Sequence, residues 1–156
     1  MRGAIRSSYE AADASFMMLV RRLQPGYTAP WTVADFTTQV RKNGGSVHAE
    51  ATVKVDVGGT VYHTAASGNG PVNALDRALR IALDGSFPAL ERLHLTDYKV
   101  RVLDTNKGTG AATRVLIDST DGEATWTTIG VNENIIEASW QALLDSIHFG
   151  LLRANK

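Results

Sequence analysis

The residues with the means to do chemistry are few and scattered. The four histidines, His48, His63, His94 and His148, share no metal-ligand spacing such as i, i+4 along a helix. Hydrogen-bonded or solvated imidazoles are the simpler assignment. With no cysteine, disulfides, thiolate metal sites and a thiol nucleophile are excluded. Ser67 and Ser139 lack a nucleophile elbow, and there is no phosphate-loop lysine motif or set-apart carboxylate pair. No complete active centre, catalytic residue or bound metal is expected in this chain.

The most suggestive segment is Ser67-Gly68-Asn69-Gly70-Pro71. Glycines there let the backbone approach a ligand, and the free N–H groups at a helix start attract carboxylates. Pro71 removes one donor, leaving Gly70, Val72 and Asn73. An ordinary strand-to-helix turn has the same composition. The lone Gly-x-Gly lacks the third glycine of a dinucleotide fingerprint. Lys107-Gly108-Thr109-Gly110 reads as a ligand-covering loop or a plain hairpin loop. Arg101 and Arg114, on neighbouring strands, suit an anion or a solvated sheet face. Trp31, Trp126 and Trp140 read as core.

The elements that position these residues follow from periodicity. Tyr9, Ala12, Phe16, Leu19, Val20 and Leu23 recur at helical spacing, which predicts an amphipathic helix over 8–23, with Ser7 or Ser8 as N-cap. Gln24-Pro25-Gly26 ends it, and residues 26–30 read as a linker. Strands are predicted over 31–41, 47–57 and 60–67, with Gly58-Gly59 as a two-residue hairpin. A helix follows, with Val72, Leu75, Leu79, Ala82 and Leu83 as its stripe. The order then repeats: strands over 94–104, 112–119 and 124–131, and a helix from about Glu133. Ala78 with Ser139, and Ala51 with Ala112, suggest a repeat of 61 positions. The predicted class is α+β: two pseudo-repeated βββα units whose sheets are covered by helices, plus an N-terminal linker helix. Each unit alone leaves a sheet face bare, so the two pack together or pair with another chain.

Composition narrows the function classes. The 156 residues carry 16 Lys plus Arg against 16 Asp plus Glu. Zero net charge argues against a general nucleic-acid or anionic-membrane binder. No apolar run approaches the roughly 20 residues that span a bilayer, and the N-terminus has no secretory pattern. A soluble cytoplasmic protein is the expectation.

Five segments together carry a family resemblance. They are Gly68–Leu75, Leu95–Val102, Thr113–Ile117, Trp126–Val131 and Asn134–Trp140. They resemble the C-terminal regulatory domain of the 2-isopropylmalate synthase and citramalate synthase family, with the Asp97–Val102 strand and Asn134 helix start nearer to citramalate synthases. Residues 9–16 resemble the stretch just before that domain. The resemblance implies a linker helix over 1–29 from the end of the catalytic region, and an amino-acid-binding dimerisation domain over 30–156. It implies a parent acyltransferase that condenses acetyl-CoA with pyruvate, or with 2-oxoisovalerate. That chemistry belongs to an N-terminal metal-dependent barrel of about 250 residues, for which this chain has no room; the divalent metal is expected there.

The resemblance further implies a homodimer that binds the pathway's end product, isoleucine (or leucine in the relative), as feedback inhibitor. The implied effector site is Gly68, Asn69 and Gly70 at the turn, Val72 and Asn73 at the helix start, and Leu95, Tyr98 and Val102 as walls. Ala111, Ala112 and Val131 complete it. A dimerisation module without a sensor, and a small enzyme in its own right, are the rival expectations.

Overall fold

Alternation of apolar and polar residues along 46–57 makes a strand with one buried face, and that strand is the centre of the first sheet. The computed structural model describes residues 14–103 and 105–155, which fall into two units. The first, Thr28–Leu90, contains strands β1 (Thr32–Asn43), β2 (Ser46–Val57) and β3 (Thr60–Gly68) and a helix, Pro71–Leu83. The second contains a helix over 14–23, strands β4 (His94–Val102), β5 (Thr113–Thr120) and β6 (Thr125–Asn132), and a helix, Ile135–Ala154. In chain order the helices are α1 (14–23), α2 (71–83) and α3 (135–154). Each sheet is antiparallel in sequential order, β1-β2-β3 and β4-β5-β6. The predicted α+β class with two βββα units is therefore the observed one.

In the first unit Ala49, Ala51, Val53 and Val55 of β2 are buried on the face covered by Ala74, Leu75, Ala78, Leu79, Ala82 and Leu83 of α2. Each large buried side chain contributes on the order of 2 kcal/mol. Thr64 Oγ1 donates to the Ala78 carbonyl at 2.7 Å, fixing α2 over β3. Gly58 and Gly59 take φ of 59° and 91°, the left-handed pair that a two-residue hairpin needs, and Val57 faces Thr60. A second glycine pair, Gly44-Gly45, turns β1 into β2, so both strands run beyond the predicted boundaries to Asn43 opposite Ser46.

The second unit repeats the plan with Val115 and Ile117 under Ala138, Ala142, Leu143 and Ile147. Thr128 Oγ1 donates to the Ala142 carbonyl at 2.6 Å, the counterpart of the Thr64–Ala78 bond. These bonds relate the units by 64 positions, not 61. The edge strands β1 and β4 are related by 62, and each carries an irregularity at the same place, between Val33 and Asp35 and between Leu95 and Asp97. Ala78 therefore matches Ala142 and not Ser139, and Ala51 matches Val115 and not Ala112. Small residues recur wherever a helix lies close to a sheet, which makes coincidental alanine matches easy. The three tryptophans are core, at 2–5% exposure.

The first helix departs from expectation. Its buried residues are Ala14 and Met18, while Phe16, Leu19, Val20 and Leu23 of the predicted stripe are 40–76% exposed. Ser7, Ser8, Tyr9 and Ala12 lie outside the described residues. Ala14 and Met18 share a helix side with Ser15, whose Oγ accepts the Ile129 N–H at 2.9 Å. That bond satisfies one donor on edge strand β6, which would otherwise be open to further pairing. Arg22 pairs with Asp145 of α3 at 2.6 Å. The helix is thus tied to the second unit by its Ala14–Ser15–Met18 face, and Phe16, Leu19, Val20 and Leu23 look away.

The β5–β6 turn is held by Asp121. Its carboxylate accepts the N–H groups of Ala124 and Glu123 at 2.8 and 2.9 Å, and the Arg153 guanidinium at 3.0 Å. These bonds, that from Ala124 foremost, hold its pKa down to about 2. The depressed value means that the stabilisation is present above about pH 4 and is lost as pH falls through 2. Asp121→Ala is expected to lower stability by about 1–2 kcal/mol at neutral pH in urea denaturation. Unchanged stability would refute the role of this turn.

Candidate functional site

The turn after β3 is built by close packing. A Cβ on Gly68 would lie 2.5 Å from Asn73 Oδ1 and 2.6 Å from the Ala74 nitrogen. Only glycine lets the strand end sit so near the first turn of α2. The Asn69 N–H donates to Asn73 Oδ1 at 3.1 Å, and Arg77 Nη1 donates to the Ser67 carbonyl at 3.0 Å. Asn73 thus spends its carbonyl oxygen on the turn. Gly70 is the N-cap, with extended backbone and open space where a Cβ would be. It offers no side-chain cap, and Pro71 follows at the first helical position. The Val72 and Asn73 N–H groups precede the first helical bond, from Ala74 N–H to the Gly70 carbonyl. They form the electropositive tip of α2.

The start of α3 is different. Asn134 Oδ1 accepts from both the Ile136 and Glu137 N–H groups, at 2.8 and 3.2 Å. Gly70 and Asn134 are equivalent in the repeat, so one helix tip is capped by its own chain and the other has no side-chain cap.

A cavity of about 480 Å³ adjoins the turn, lined among others by Gln39, Arg41, His48, Glu50, Ser67 and Asn69. Arg41, Glu50, Gln39 and His48 were not among the expected site residues. Their signal is visible only once β1 and β2 are paired.

The remaining expected residues belong to the second unit. Leu95, Tyr98 and Val102 face Ser119, Ile117 and Thr113 across β4–β5, and so share the α3 side of the sheet. Leu95 is half-buried; Tyr98 and Val102 are 40% and 47% exposed, and Val100 between them is 42% exposed. An apolar strip thus stands uncovered beside α3. The Tyr98 hydroxyl donates to Ser139 Oγ at 2.7 Å, because Ser139 itself donates to the Ile135 carbonyl. Ser139, which lacks the context of an activated nucleophile, instead orients Tyr98. Ala111 is buried, and the half-buried Ala112 accepts the Leu103 N–H through its carbonyl.

Val131 faces Arg114, on the side of the sheet away from α3, so it does not share a face with Tyr98 and Val102. Arg101 and Arg114 stand directly opposite each other, and Arg114 Nε is buried without a hydrogen-bond partner. Lys107–Gly110 lies in a 3₁₀ turn with Gly108 at φ 57°. Among the described residues no group of three or more His, Cys, Asp or Glu side chains converges as a metal site would require. No helix among them is long and apolar enough to cross a membrane.

Comparison with known proteins gives a consistent family. Residues 10–151 match the LeuA allosteric (dimerisation) domain. Over 150 residues the chain is 47% identical to the (R)-citramalate synthase of Geobacter sulfurreducens, covering 95% of this chain and 28% of that protein. The Streptomyces coelicolor (R)-citramalate synthase is 48% identical over 150 residues, with the same coverage of each. The 2-isopropylmalate synthase of Shewanella sp. (strain MR-7) is more distant, 34% identical over 108 residues, or 69% of this chain and 19% of that protein. The chain therefore spans about a quarter of the length of these curated relatives.

Proposed function

This chain belongs to the LeuA allosteric (dimerisation) domain family, nearer to citramalate synthases than to 2-isopropylmalate synthases, and we propose that it is the isoleucine-sensing regulatory domain of a citramalate synthase. The parent enzyme condenses acetyl-CoA with pyruvate in a metal-dependent barrel outside this chain. The domain works as a homodimer in the cytoplasm. Isoleucine inhibits by binding one arrangement of that dimer better than another.

The single observation that carries this reading is the α2 tip: N–H groups with no side-chain cap, behind a glycine turn. Such a tip favours a carboxylate. The Leu95–Tyr98–Val102 strip, uncovered in its own unit, has the character of a wall for a branched side chain. Val131 stands on the opposite face of the sheet from that strip. Calorimetry with isoleucine, leucine and valine tests the assignment, and isoleucine is expected to bind tightest. Leucine as the tightest ligand would instead assign a leucine sensor; no heat from any of the three rejects an effector site. Tyr98→Ala is expected to weaken binding at least tenfold, with Tyr98→Phe nearer to the parent. Equal affinities for all three proteins would remove Tyr98 from the site.

One observation favours a second reading, a dimerisation module without a sensor. The requirement for glycine at 68 is met by packing against Asn73 and Ala74 alone. Sedimentation with and without isoleucine separates the two: a dimer indifferent to the amino acid supports the module.

A further inference from the structure

Leu95 and Tyr98 are three positions apart on β4, and in a regular strand an odd spacing sends side chains to opposite faces. They share the α3 side because of the irregularity between Leu95 and Asp97. Leu95 stands opposite Ser119 and Asp97 opposite Asp118, so Thr96 is one residue more than β5 supplies. This is a β-bulge, which leaves the extra residue unpaired and disrupts the ladder locally. The Asp97 side chain repairs the break. Its Oδ1 accepts the Tyr98 N–H at 2.9 Å, and its Oδ2 pairs with Lys99 Nζ at 3.1 Å. Asp97 stands on the side of the sheet away from α3, so it holds the Tyr98 backbone without covering the ring.

The duplicated unit shows what this arrangement adds. β1 has the same bulge, with Asp35 at the place of Asp97, and Val33, Phe36 and Val40 share the α2 side opposite Val55, Val53 and Ala49. By the strand offset of 62 and the helix offset of 64, Tyr98 corresponds to Phe36 and Ser139 to Leu75. Phe36 is half-buried and Leu75 fully buried. Neither side chain has a polar group, so apolar packing holds that ring. Tyr98 is 40% exposed, and hydrogen bonds hold it at both ends: its N–H by Asp97 and its hydroxyl by Ser139. An aromatic ring fixed without being buried is what a ligand wall requires, because little side-chain ordering is left to be done at binding.

We infer that Asp97 is a positioning residue of the effector site, holding Tyr98 through its backbone N–H as Ser139 holds it through its hydroxyl, so that the ring meets the branched side chain already oriented. This assignment rests on the effector reading above. It adds the group that makes Leu95, Tyr98 and Val102 one surface. Asp97 acts through Tyr98 and makes no contact with the effector itself.

Calorimetry with isoleucine on the whole chain tests this as a double-mutant cycle. Asp97→Ala is expected to weaken binding about fivefold, the usual effect of leaving one side chain to be ordered by the ligand. Asp97→Asn keeps an Oδ1 acceptor for the Tyr98 N–H and is expected to stay within twofold of the parent. In a Tyr98→Ala background, Asp97→Ala is expected to cost nothing further. Asp35→Ala, at the same place in β1, is expected to leave the affinity unchanged. Asp97 is exposed, and circular dichroism of the variants is expected to match the parent. If the parent binds isoleucine and Asp97→Ala stays within twofold of it, the assignment is wrong and the effector reading stands. An equal loss in the Tyr98→Ala background, or Asp97→Asn as weak as Asp97→Ala, overturns it in the same way. If the parent binds no branched-chain amino acid, the effector reading fails and takes this assignment with it.

Discussion

Gly130→Ala is expected to remove about 3 kcal/mol or more of folding stability. Gly130 lies on the inner face of β6 beneath α3, where a Cβ would fall 1.8 Å from the Ala138 carbonyl oxygen and 3.1 Å from the Ala142 nitrogen. Both are backbone atoms of a helix and do not rotate away. The helix must lift, and with it the Thr128–Ala142 bond and the packing of Leu143 and Ile147. Insertion of one methyl into a well-packed core costs about 1–3 kcal/mol when side chains yield, and more when backbone must move. Gly150→Ala is the internal control. Its Cβ would meet Leu93 Cδ1 at 2.7 Å and Trp126 Cζ2 at 2.9 Å, both side-chain atoms, so a smaller loss is expected. Urea denaturation with unchanged slope reads both. A loss under 1 kcal/mol for Gly130→Ala would mean that α3 does not rest on β6 as described. Since Ser139 is on α3, the same variant is expected to disturb the orientation of Tyr98.

The second large effect is of pH. His148 is 9% exposed on α3, and burial, with the Arg22 guanidinium adding to it, lowers its pKa from 6.5 to about 4. The folded protein therefore holds the imidazole neutral, while the unfolded chain protonates near 6.5. Its stabilisation is complete above pH 6.5 and is lost as pH falls from there to about 4. The shift corresponds to about 3 kcal/mol over that window. Nearby, the Arg22–Asp145 pair supplies the repelling cation and its partner. His148→Gln is expected to flatten the stability profile between pH 6.5 and 4, while leaving intact the loss through Asp121 below pH 4. A parent profile already flat over that upper window would disprove a buried neutral His148.

Most of the fold was legible because its signals are local. Val53 and Val55 alternate with Lys54 and Asp56, Gly58-Gly59 has few conformations open to other residues, and Leu75, Leu79 and Leu83 lie on one stripe. The repeat itself was also legible, but its period was not. Period depends on loop length, and residues 103–112 replace the two-residue Gly44-Gly45 turn while the strands shorten to compensate. The stripe of α1 was read from spacing, yet spacing alone leaves open which side of a helix is covered. Ala14 and Met18 are, because Ser15 must reach the β6 edge.

The candidate site divides in the same way. Gly68, Asn69 and Gly70 could be picked out from the strand–glycine–proline–helix order alone, since their types constrain the backbone there. Tyr98 and Val102 came from the family resemblance of the Leu95–Val102 strand. That Val131 faces Arg114 on the other side, that Ser139 orients Tyr98, and that Arg41 and Glu50 share one face beside the Ser67–Asn69 turn were decided by the tertiary pairing. Residue order determines which elements form and which faces they bury, because each depends on neighbours a few positions away. Which side chains meet across strands depends on where hairpins turn and where β3 leaves its sheet, and that is settled only when the whole unit packs.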